Sequence, residues 1–287
     1  MQLLTFKTLW GYPDQDLETA LDQACAAAVA EGYQGVEGPV PADACLRDSF
    51  AGGLERRGLA YIAEICTAGS YVPDRTAPLE EHLADLKRQL ARLAPLKPVK
   101  VNCLGGCDRW SIDTSLAFFD AALEMADRFG VTIGFETHRG RSLYSPWTAE
   151  VLLGRRDLPV TCDFSHWCVV CEGMGDSESD LIRQVASRAV HIHGRIGFDQ
   201  GPQVSDPQSF LYREDLEKHL RWWSWIWQAQ DGKGESVTTL TPEFGPDGYQ
   251  ALNPRTGQPF GDLDRINAWM ADTVKTAFGN RQETRHV

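Results

Sequence analysis

Strand-like and helix-like stretches alternate about eight times along these 287 residues, and that rhythm limits the folds open to the chain. The strand-like stretches are 3–7, 35–37, 60–66, 99–103, 131–136, 160–163, 189–193 and 237–243. They are short, apolar and rich in Val, Ile, Thr or Phe, as parallel strands covered on both faces are. Helical periodicity marks 17–31, 78–96, 114–129, 180–188, 214–228 and 263–278. In 17–31, for example, Leu17, Leu21, Ala24, Cys25, Ala28 and Val29 recur on one face. Ser111 and Asp113 offer caps before 114–129, and Gly130 ends it. Strands alternating with helices build a parallel sheet, and eight such units predict an α/β fold: a single (β/α)8 TIM barrel spanning 1–287. A doubly wound open sheet is the runner-up. It usually has fewer strands, and neither a G-x-G-x-x-G after the first strand nor a Walker motif is present.

A net charge of −12 repels phosphate backbones and argues against nucleic acid as a partner. No apolar run approaches the ~20 residues of a membrane span, and Met1–Lys7 lacks the pattern of an export signal. A cytoplasmic protein with no membrane partner is expected. The eight cysteines then read as free thiols. A zinc site from Cys103, Cys107, Cys168 and Cys171 is a weak alternative, because the first pair is loosely spaced and both lie in apolar or Gly-rich context.

Four polar clusters close the later strands: Glu136-Thr137-His138, Asp163-Phe164-Ser165-His166, His191-Ile192-His193 and Glu243. Carboxylates and imidazoles at the ends of buried strands are costly unless paired or holding a metal. Strands five to eight are contiguous around a barrel, and barrel chemistry lies at the carboxyl ends of strands. Glu136, Asp163, His193 and Glu243 are therefore expected to form one site for a divalent cation, with Mn2+ favoured and Mg2+, Co2+ or Zn2+ as alternatives. His191 competes with His193 for that role, since both can point inward on a strand of period two.

The pattern resembles the xylose-isomerase-like TIM-barrel superfamily, and within it the sugar phosphate isomerase/epimerase group. Gly32-Tyr33-Gln34-Gly35-Val36-Glu37 looks like the family's entry to the second strand. Glu136, Asp163 with His166, the His-x-His at 191 and 193, and Glu243 look like its metal and substrate set. The resemblance implies that Glu136 and Glu243 both bind the metal and exchange protons with a small sugar. It makes Asp163 and His193 further ligands and His166 a substrate contact. One departure is His193-Gly194-Arg195, where the family often carries an acidic residue and a later arginine.

A cation on two adjacent substrate oxygens would stabilise an enediolate, and two carboxylates could move the proton, giving epimerisation or aldose–ketose isomerisation. A lyase or dehydratase on a keto-sugar or cyclitol shares that first step. An apurinic-site endonuclease and a non-catalytic sugar-binding barrel are the more distant alternatives.

The expected substrate contacts are His138, His166, His191, Arg195, Glu37 and Glu64. Trp10, Tyr12, Trp110 and Trp167 fall near strand ends, where aromatic faces suit sugar C–H surfaces. Arg139, Arg141 and Arg195 could bind an anion, Arg195 foremost. The irregular stretch 194–212 should lie over the mouth. Trp222-Trp223-Ser224-Trp225-Ile226-Trp227 predicts a core face or a homo-oligomer interface, and His219 and His286 are expected at the surface.

Overall fold

A computed structural model describes residues 1–12, 17–173 and 176–281. Its strands are β1 (Gln2–Thr8), β2 (Gly35–Pro39), β3 (Ala60–Cys66), β4 (Lys100–Leu104), β5 (Ile133–Glu136), β6 (Val160–Cys162), β7 (Ala189–His193) and β8 (Val237–Thr241). Each pairs in parallel with the next, and β8 closes on β1 from Gln2↔Val237 to Thr5↔Leu240. The sheet is a closed barrel, not an open one. Glu136 and His193 are the last residues of their strands, Asp163 follows β6 directly, and Glu243 stands two residues past β8.

The helices are α1 (Leu17–Ala30), α2 (Ala44–Arg57), α3 (Leu79–Leu90), α4 (Ile112–Phe129), α5 (Pro146–Arg155), α6 (Ser165–Cys171), α7 (Ser179–Ala186), α8 (Arg213–Gly232) and α9 (Leu263–Asn280). Six match the periodic stretches, and α3 stops at Leu90, well short of residue 96. Ser111 accepts the Thr114 amide at 3.1 Å to start α4, and Gly130 ends it with φ 66°. The unanticipated helices are α2, α5 and α6. Gly52-Gly53 and dense charge blur the apolar stripe of α2, although Asp43 caps it through the Leu46 amide at 2.8 Å. In α5, Ser145 before Pro146 is a legible start signal. With seven residues, α6 is too short to show a period.

The apolar core fills the ring between barrel and helices. Trp222, Trp223 and Trp227 of α8 are buried in it, so of the two readings of that run these three rings take the core. Trp225, at the rim, carries the Arg183 guanidinium 3.7 Å above its ring. His219 is buried rather than at the surface: Nδ1 donates to Asp215 O at 2.8 Å and Nε2 accepts from the Gly197 amide at 3.3 Å. His286 lies outside the described residues. All eight cysteines are free, and none belongs to a metal-ligating cluster among the described residues. No helix there is long and apolar enough to cross a membrane.

Candidate metal centre and active site

Closure of the barrel brings the ends of β5 to β8 together. His193 Nδ1 lies 2.9 Å from Glu243 Oε2 and 3.8 Å from Glu136 Oε1. One ligating atom from each of Glu136, Asp163 and His193 falls within a 4.8 Å cluster. Asn102 of β4 donates to Glu136 Oε2 at 2.7 Å. Asp163 is held by the Arg195 guanidinium and accepts from the Ser165 amide at 3.0 Å. Arg195 Nη2 also lies 3.5 Å from Glu243 Oε2.

Glu37 reaches in from β2. It accepts from Nε2 of both His191 and His193, at 3.0 Å each, and from the Thr241 hydroxyl. With its Nε2 proton directed at Glu37, His193 turns Nδ1 toward the carboxylates, as an orienting carboxylate does for a ligating imidazole. His191 has both nitrogens engaged, Nδ1 with Thr239 Oγ1 at 2.7 Å, and lies one layer deeper. Glu37 thus sits beneath the imidazoles and does not line the cavity. Glu64 does line it and accepts a long hydrogen bond from the Cys66 thiol at 4.0 Å.

The electrostatics describe a site short of positive charge. Burial, with Glu243 and Asp163 nearby, pushes Glu136 up to about 8 against the pull of His193. Burial, with Glu243, Glu136 and Glu37, likewise raises Glu64 to about 8. Burial opposes a charge on His193, yet Glu243, Glu37 and Glu136 outweigh it and lift its pKa well above the usual range. Burial also works against Glu37, but its two imidazoles hold it ionised. His193 Nδ1 makes no aligned hydrogen bond despite its close carboxylate neighbour. An orphaned nitrogen among oxygen donors fits a divalent cation held by Glu136, Asp163, His193 and Glu243.

Glu136, His138 and His166 form a second close cluster. Burial lowers both imidazoles; Arg141 and Arg195 further depress His138, while His138, Arg195 and Arg139 further depress His166. That ring of guanidinium groups opposes a second cation there.

Above the carboxylates opens a cavity of about 810 Å3. Its roof comes from the loops after β1, β3 and β8, which bring Trp10, Tyr71 and Tyr249 together. Ring centroids lie 5.0 Å apart for Trp10–Tyr249 and 6.4 Å for Trp10–Tyr71. A Cβ on Gly245 would fall 2.0 Å from the Trp10 ring, so only glycine admits that packing. Trp10 and Tyr12 line the cavity as expected. By contrast, Trp110 packs on His82 at 4.5 Å, and Trp167 is fully buried with Nε1 donating to Leu143 O at 3.0 Å.

Of residues 194–212, Arg195 alone lines the cavity; Gln203 braces the β8 loop through the Gly245 backbone at 3.0 and 2.9 Å. Tyr71 and Tyr249 escaped sequence reasoning. Their signal was an aromatic in a Gly- or Pro-rich loop beyond a strand end. The arginines separate as well. Arg141 is buried and staples backbone carbonyls, Thr67 O at 2.7 Å among them, while Arg195 is committed to Asp163.

The sequence profile described as xylose isomerase-like TIM barrel matches residues 25–202. No curated protein matches the sequence. Among solved structures, D-allulose 3-epimerase from Methylomonas sp. superposes with a TM-score of 0.64 at 13% identity, covering 96% of this chain and 97% of its own. L-ribulose 3-epimerase gives 0.66 at 14%, with 98% and 96% covered. An AP endonuclease, family 2, from Brucella melitensis gives 0.59 at 17%, with 94% and 98% covered. At such identities these structures share the fold. The profile covers well over half of the chain, and the chain belongs to the xylose isomerase-like TIM-barrel family.

Proposed function

We propose that the chain, acting as one barrel domain, is a divalent-metal-dependent isomerase or epimerase of a small sugar or keto-sugar. The observation that carries this reading is the orphaned Nδ1 of His193, set among Glu136, Asp163 and Glu243 and oriented from behind by Glu37. The 3-epimerases among the similar structures act on comparable small sugars by their names.

A bound cation would supply the charge that polarises a substrate carbonyl and steadies an enediolate. The chain's own groups do the rest. Glu136 and Glu243 flank His193 and serve as the base that removes the proton alpha to the carbonyl and the acid that returns it. Glu64 faces the same cavity and is placed to contact a substrate oxygen. His138 and Arg195 are the further substrate contacts, and Trp10, Tyr71 and Tyr249 exclude water from above. His166 lies close behind, its ring 3.9 Å from that of His138.

The test is proton NMR in D2O with a panel of ketoses and Mn2+. Deuterium should enter alpha to the carbonyl, and removal of the ion by chelation should stop it. Glu243→Gln should abolish the exchange while leaving the circular dichroism spectrum intact. Exchange at the wild-type rate in that variant overturns the assignment.

A further inference from the structure

A second, smaller chamber of about 240 Å3 adjoins the main cavity. Tyr71, His138 and Tyr249 line both, so the partition consists of side chains. Tyr71 is only half-buried, and a side-chain rotation would open a way through. Beyond the partition stand Arg75, Asp108, Arg139 and Tyr144.

Three guanidinium groups line the two cavities, and two of them are neutralised. Asp108 grips Arg75 through Nε at 3.2 Å and Nη2 at 3.3 Å, and Asp163 holds Arg195. Arg139 is different. Among the described residues its guanidinium has no ion pair and no hydrogen bond, and it sits 5.1 Å from the centroid of the Tyr249 ring. Composition sharpens the point: 40 acidic side chains are available to pair 28 basic ones, yet this half-buried cation on the chamber wall stays unpaired. The cation–π contact with Tyr249 restrains the fork, which lowers the cost of ordering it around a ligand. Carboxylate and phosphate are the groups that fork matches.

We propose that the outer chamber receives a negatively charged terminus of the substrate, a carboxylate or a phosphate, anchored by Arg139. The inference rests on the sugar-isomerase reading for the inner end of the same substrate. Arg139 follows Glu136 by three residues, so the anchor and one of the two proton-transfer carboxylates are carried on one short segment at the end of β5.

The test compares three ketoses that share the carbonyl end and differ at the far carbon: D-fructose, D-fructose 6-phosphate and D-fructuronate. Their affinities for the Mn2+-loaded protein are measured by calorimetry, alongside deuterium exchange. At least one anion should bind roughly tenfold or more tightly than D-fructose, and the stronger of the two identifies the terminus. In Arg139→Met the ratio of anion to D-fructose affinity should fall close to one; in Arg139→Lys, which keeps the charge and loses the fork, it should be partly retained. Equal affinities in the wild-type protein, or an unchanged ratio in Arg139→Met, overturn the proposal. Exchange on D-fructose without anion preference sinks the chamber assignment and leaves the isomerase reading standing. Anion preference without exchange does the reverse.

Discussion

Glu37 makes the site what it is without entering the cavity. Its bond to His193 Nε2 decides which ring nitrogen faces the carboxylates, and such orienting groups are typically worth about 10–100-fold in metal affinity. Glu37→Gln should weaken Mn2+ binding by about that factor in a calorimetric titration, with the secondary structure unchanged. The sequence marks Glu37 as a strand-end carboxylate, but its partners come from β7 and β8, and no local pattern announces a contact across the barrel. His219 shows the same blindness: a lone histidine in a charged helical stretch reads as surface until the fold buries it. Burial lowers its pKa to about 4, below the ordinary 6.5. The unfolded chain therefore takes up the proton first, and stability falls as the pH drops from 6.5 toward 4. The loss from this group is on the order of 3 kcal/mol, so denaturation curves at pH 7 and pH 4 should converge by about that much in His219→Phe.

Elements were more legible than residues. Strand and helix periods differ, so the alternation of short apolar runs with 3.6-residue stripes sufficed for all eight strands and six helices. What failed was the short or interrupted helix. In α2 paired glycines break the stripe, and in α6 there are too few turns to display one. The roofing loops failed for a different reason: Tyr71 and Tyr249 lie in aperiodic segments, where side-chain direction depends on packing alone. The tryptophan run of α8 reads equally as core or interface from sequence, and burial of Trp227 to 1% exposure selects the core. Trp227→Ala should cost about 3–5 kcal/mol in chemical denaturation. Its sedimentation coefficient should match that of the wild-type protein, since the ring faces the core.

At the scale of the molecule, the proposed ligands come from β5 to β8 while their orienting carboxylate comes from β2. Neither half of the barrel holds the complete arrangement; β4–β5 pairing joins the halves and the β1–β8 seam closes them into one ring. An ion that binds the native state and not the open chain stabilises by slowing unfolding. Stopped-flow measurements should accordingly show Mn2+ lowering the unfolding rate and leaving the refolding rate unchanged. The seam has a practical corollary. On the proposed reading the ion is not needed for the barrel to close, so protein made in medium stripped of manganese should be recovered folded and idle, and later addition of the salt should switch it on.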